Sequence, residues 1–241
     1  MLRFFSCACS VLTLLIAAQT NAACDESRMV MVETAPESGA LVFLLGADNR
    51  PADNIYGEQP YSDATGRRIA VRYYAEKDMP GGLAIVDLAD GSRRNVLEGN
   101  PRFPAFHAWG EHLYYQEKVD GVMMLRRCRY DTLAKEDVAA LPGSMGSFSY
   151  GAVSPDLRWY AVSVQVKSGD PSKVFLLDIR TGTWKLILDK PGYHAKHEQF
   201  SRDGRNRVLI QLNRIPDVKE VLLGEIDVDG STVMFPADRP W

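Results

Sequence analysis

Two imidazoles and a carboxamide stand close together in one run, at His194, His197 and Gln199. Imidazole nitrogen and amide oxygen suit a borderline-to-hard divalent cation, and manganese fits such a donor set. His197 and Gln199 are two residues apart, so a regular strand would point both to one side. A cation held there could stabilise negative charge that develops on a bound ligand. The same residues read equally as polar groups of a loop ahead of a strand. Tyr56, Gln59 and Tyr61 form a second group. Aromatic rings stack on sugar faces, and an amide can bond to sugar hydroxyls. Tyr61 serves equally as a packing residue between sheets.

The elements that must position these groups recur along the chain. Ser62-Asp63-Ala64-Thr65-Gly66, Ser154-Pro155-Asp156 and Ser201-Arg202-Asp203-Gly204 each precede an apolar β-favouring run. Outer hairpins follow them: Leu83–Leu88 turns at Asp90-Gly91, Val174–Ile179 at Thr181-Gly182, and Val221–Val228 at Asp229-Gly230. A degenerate copy runs from Phe106 to Tyr130, with His107, Trp109 and His112 as packing or surface residues. Gly110 follows Gly66 by 44 residues, and Ser201 follows Ser154 by 47. Four strands per repeat at this period predict an all-β protein, a β-propeller of four-stranded antiparallel blades with about four blades present. A β-sandwich would also show short strands and turns, but not this period. Asp63, Asp156 and Asp203 repeat, so they are turn residues rather than site residues.

The predicted organisation is a leader over 1–22, an N-terminal segment with one strand over 23–59, and repeats over 60–241. The blades fall at about 60–99, 100–143, 144–191 and 192–236. The leader has Arg3, an apolar stretch from Val11 to Ala18, and small residues ending at Ala22, which is a signal-peptide pattern. No later stretch is long and apolar enough to be a transmembrane helix, so the expected location is periplasmic or secreted. A net charge of -3 argues against nucleic acid as a partner. Cys24 and Cys128 remain after the leader, and their pairing stays open. Gly-x-Ser-x-Gly, a phosphate loop and Cys-x-x-Cys are all absent.

The Ser-Pro-Asp and Ser-Arg-Asp-Gly turns, with their following strands, resemble the Pro-Asp-Gly repeats of TolB-like propellers. Asn54–Ser62, His197–Gly204 and Gln211–Arg214 resemble the oligogalacturonate lyase family of propeller proteins. The resemblance covers roughly residues 47 to 241. It implies metal-assisted β-elimination on uronic-acid oligosaccharides. The ligands would be His197, Gln199 and His194, with Tyr56, Gln59 and Arg214 as substrate-binding residues and manganese as the ion. Arg72, Lys196 and Arg214 are cations placed near blade starts or inner hairpins, and none is singled out as the base. The family is expected to close seven blades and to supply a further histidine. The sequence therefore reads either as a relative truncated at the C-terminus, with activity open to loss through missing ligands, or as a short open or four-bladed variant; an unclosed ring would leave blade edges open to self-association. The alternative is a non-catalytic TolB-like propeller that binds a protein or glycan in the cell envelope.

Overall fold

A computed structural model describes residues 30–44, 52–55, 61–74, 81–99, 102–105, 110–216 and 220–235. The described residues are all-β apart from one 3₁₀ turn, Gly143–Met145. A two-stranded hairpin comes first, β1 (Val30–Thr34) with β2 (Leu41–Leu44). Four antiparallel sheets then follow in chain order as the four blades of a β-propeller. Blade 1 holds β3 (Ala52–Asn54), β4 (Arg68–Tyr73), β5 (Gly82–Asp87) and β6 (Arg93–Glu98). Blade 2 holds β7 (Arg102–Ala105), β8 (His112–Val119), β9 (Val122–Arg129) and β10 (Lys135–Leu141). Blade 3 has a divided inner strand, β11 (Ser147–Phe148) and β12 (Ala152–Val153), followed by β13 (Trp159–Gln165), β14 (Lys173–Asp178) and β15 (Thr183–Leu188). Blade 4 holds β16 (Tyr193–Phe200), β17 (Val208–Arg214), β18 (Val221–Ile226) and β19 (Thr232–Phe235). Within each blade the strands pair in chain order, apart from the divided inner strand of blade 3, and Val208–Gln211 bonds within its own repeat on both sides.

The repeated turns carry the bonds that their residue types dictate. Asp156 Oδ1 accepts the N–H of Arg158 at 3.1 Å, and Asp203 Oδ1 accepts that of Arg205 at 3.1 Å. The serine two residues earlier donates to each aspartate, Ser154 to Asp156 and Ser201 to Asp203. Its oxygen then accepts the N–H that opens the next strand, from Trp159 and Arg207. Asp63 plays the same part for Thr65 and Arg67. Short polar side chains satisfy the turn backbone locally, which explains why this motif returns in three of the four blades.

Blades pack face to face through buried apolar side chains. Tyr114, Leu125, Val153, Tyr160 and Val162 fill a core spanning blades 2 and 3. A larger cluster gathers Leu83, Ile85 and Tyr115 of blades 1 and 2 with Leu176, Ala195 and Ile210 of blades 3 and 4. Polar ties cross each seam. Arg94 donates to the Tyr130 carbonyl at 2.7 Å, and Lys185 donates to the Val228 carbonyl at 3.1 Å.

The inner strands are the irregular ones. In blade 1, β3 pairs with Val71–Tyr73, while Ser62 bridges separately to Ile69. The first blade thus begins before residue 60, and its inner edge is divided. In blade 3, β11 and β12 both pair with β13, on either side of Ser149–Gly151. In blade 4, β16 is continuous but bulged. Lys196 pairs with Gln211 and Gln199 with Leu209, so His197 and Glu198 together oppose Ile210.

Candidate ligand-binding site

The bulge decides where the residues of β16 go. Register and burial put Ala195, Glu198 and Phe200 on the face toward blade 3, with Ile210 and Leu212 beside them. His194, Lys196 and Gln199 share the opposite face, with Asn213, Gln211 and Leu209 across from them. His197 is the extra residue, held at φ 60 in the left-handed region. That conformation is uncommon for a non-glycine residue and belongs to the first position of one bulge type. Lys196, His197 and Glu198 all border one cavity at the bulge.

That cavity has a volume of about 210 Å³, room for one small group rather than an extended chain. Blade 1 contributes Tyr61, blade 3 contributes Ser149, Tyr150 and Gly151, and blade 4 contributes Ala195 to Glu198. The divided inner strand of blade 3 therefore faces the bulge of blade 4. Gly151 is required at the division. Its φ is +68, and a Cβ there would lie 2.6 Å from the Ala161 carbonyl oxygen and from the Tyr160 ring.

The walls are fixed by hydrogen bonds drawn from all four blades. Arg72 of blade 1 donates through Nη1 to the Tyr150 hydroxyl at 3.2 Å, and through Nη2 to Tyr74 at 2.9 Å. Gln116 of blade 2 donates through Nε2 to the Ser149 carbonyl at 2.7 Å and to the Tyr160 hydroxyl at 3.0 Å. Tyr160 passes its own proton to the Tyr150 carbonyl at 3.2 Å. In blade 4, Glu198 Oε1 accepts the Ser163 N–H at 2.8 Å and the Ser149 hydroxyl at 3.0 Å. Glu198 is only 3% exposed, and burial pushes its carboxyl above the usual range against the pull of those donors.

The residues singled out from the sequence are placed as follows. Only His197 of the three candidate metal ligands lines the cavity; His194 and Gln199 lie on the far face with Lys196 between them. The described residues contain no group of three His, Cys, Asp or Glu able to hold a metal ion. Gln199 cannot point with His197 as plain alternation requires, because the bulge separates them. This donor set does not fit a divalent ion. Arg214 stands away from the cavity and pairs with Glu220 at 2.7 Å. Tyr56 and Gln59, with His107 and Trp109, lie outside the described residues, as does Cys24. Cys128 is a buried free thiol. Tyr150 and Glu198 join the site without a motif of their own in the sequence, while Lys196 is one of the three cations that the sequence offers.

Solved structures share this architecture. A putative TolB from Agrobacterium tumefaciens superposes with a TM-score of 0.54 at 16% identity, over 72% of this chain and 62% of that one. The likeness is one of fold. An oligogalacturonate lyase from Vibrio parahaemolyticus gives 0.60 at 12% identity, over 88% and 60%. An oligogalacturonate lyase in complex with manganese gives 0.53 at 15%, over 88% and 74%. The chain spans 62% of the Agrobacterium protein and 45% of TolB from Acinetobacter baumannii. No protein-family model matches the sequence, and no curated protein does either. No helix among the described residues is long and apolar enough to cross a membrane.

Proposed function

We propose that this chain is a propeller-type binding module of the cell envelope that takes an acidic sugar, of the uronic-acid class, at the central cavity. One observation carries the reading: three blades bring Tyr61, Tyr150, Lys196 and His197 around one small cavity, with the Arg72 guanidinium bonded to Tyr150. Aromatic faces suit a sugar ring. Cations suit its carboxylate, through charge-assisted hydrogen bonds. Support for the envelope comes from the leader pattern of residues 1–22. The acting chemistry is binding and orientation rather than elimination, since the candidate ligands for an assisting ion face different ways.

The test is calorimetry of the mature chain with trigalacturonate and with a neutral galactose trimer. The expected result is binding of the acidic trimer only. A parallel incubation with manganese follows ultraviolet absorbance for an unsaturated product, and none should form. A rise in absorbance that His197→Ala abolishes would overturn the binding-only reading in favour of a lyase.

A further inference from the structure

Tyr150 lines the cavity from a place where its blade is broken. It stands in the gap Ser149–Gly151 that divides β11 from β12, and its half-buried ring packs against the large apolar cluster. Apolar packing is non-directional, so it does not set where the hydroxyl end points. A directed bond does. Arg72 Nη1 donates to the Tyr150 hydroxyl at 3.2 Å, from 78 residues away and across from blade 1 to blade 3. Arg72 is itself held. Its backbone sits in the ladder of β4, opposite Asp53 of β3 and Leu83 of β5. Its other branch donates to the Tyr74 hydroxyl at 2.9 Å, with the guanidinium 5.1 Å from the centre of the Tyr74 ring. A guanidinium can only donate, and its planar fork fixes the directions of both bonds. Arg72 does not itself line the cavity.

We infer that Arg72 is a positioning residue: from blade 1 it sets the Tyr150 ring at the cavity, and it acts on the ligand only through that ring. A stacking face serves a sugar only at the right tilt, so a ring ordered before the ligand arrives lowers the cost of binding. The same tie makes a wall on blade 3 depend on blade 1, although blade 2 lies between them in the chain. The inference rests on the acidic-sugar reading and goes beyond it by making Arg72 a strut rather than the counter-ion of the ligand carboxylate.

The experiment is a double-mutant cycle on the full mature chain, titrated with trigalacturonate by calorimetry. Arg72→Met should weaken binding roughly 10-fold, the scale of a lost hydrogen bond to a charged group. Tyr150→Phe keeps the ring and removes the tether, so it should weaken binding by a similar factor. The double variant should bind no more weakly than either single one. Losses that multiply overturn the inference, because Arg72 would then act on the ligand independently of Tyr150. Undiminished binding by either single variant also overturns it. Circular dichroism checks folding. Tyr150→Phe removes one oxygen, so its titration stands as a test even where Arg72→Met fails to fold. A second readout needs no ligand. In a chain labelled with 3-fluorotyrosine, the fluorine resonance missing from Tyr150→Phe belongs to Tyr150, and in Arg72→Met it should move and sharpen as the ring gains freedom. A resonance left unchanged overturns the strut. Failure of trigalacturonate to bind the wild-type chain overturns the acidic-sugar reading, and the fluorine resonance then decides the strut by itself.

Discussion

Replacing Glu198 by glutamine should make stability less dependent on pH, and more so the higher the pH. In the folded chain the carboxyl is buried between blades 3 and 4 and its pKa is raised. In the unfolded chain it titrates near the ordinary glutamate value of about 4.3. Between those two values the unfolded state releases a proton that the folded state keeps. Stability contributed by the neutral carboxyl is thus complete below about pH 4 and falls as pH rises, by about 1.4 kcal/mol per unit, until the folded-state pKa is passed. Glutamine keeps an acceptor for the Ser163 N–H and the Ser149 hydroxyl. It does not titrate. Its advantage over the wild type should therefore be near zero at pH 4 and grow at up to that slope above it. Glu198→Ala separates packing from charge. The Ser163 N–H would still reach Ser149 Oγ at 3.1 Å, so one donor loses its acceptor, at a cost of about 1–3 kcal/mol. Urea unfolding followed by tryptophan fluorescence from pH 4 to 8 measures both variants. A difference between Glu198→Gln and wild type that stays constant across that range would refute the reasoning.

Two further outcomes follow from other parts of the fold. Gly151→Ala should cost well over the roughly 1–2 kcal/mol of a left-handed alanine, because its Cβ meets a backbone oxygen and a buried ring. Gly182→Ala has a similar φ and open space around it, so it should cost that conformational amount alone, and equal losses in urea unfolding would contradict the close contact. Cys128 is fully buried and its thiol is pushed up to about 11 by burial. In a mature chain carrying Cys24→Ser, thiol labelling at pH 8 should proceed only at the rate of unfolding, and rapid labelling of the folded chain would show a more open blade 2.

The repeated turns were legible because their information is local. Ser154-Pro155-Asp156 and Ser201-Arg202-Asp203 bond to backbone within five or six residues, so the sequence alone shows them and their period gives the blades. The cavity was not legible in that way. His197 and Gln199 stand out as residue types, and plain alternation would point both one way, but a bulge depends on how β16 meets β17. Glu198 lies between those two residues and is visible in the sequence only by its place in the strand. A charged residue flanked by strand positions, two before Phe200 on the buried face, was the available signal. Tyr150-Gly151 ahead of the apolar Ala152-Val153 was another, since glycine inside a strand marks a break or a close approach. The partners of Tyr150, Arg72 and Tyr160, lie 78 and 10 residues away, and only the folded ring of blades brings the first of them near.

The single extra residue in β16 bears on how such a protein can change over generations. Pairing on either side of His197 keeps one phase: Ala195 faces inward before it, and Glu198 and Phe200 face inward after it. Insertion or loss of one codon at that point leaves the rest of blade 4 in register. It alters which side chains reach the cavity and leaves the outer hairpin alone. A repeated fold usually resists small insertions, because a one-residue slip turns a strand inside out. Here the slip is absorbed where it arises. The inner edge of a blade is thus a place where a lineage can gain, retune or abandon a binding pocket while the scaffold that expresses it stays intact.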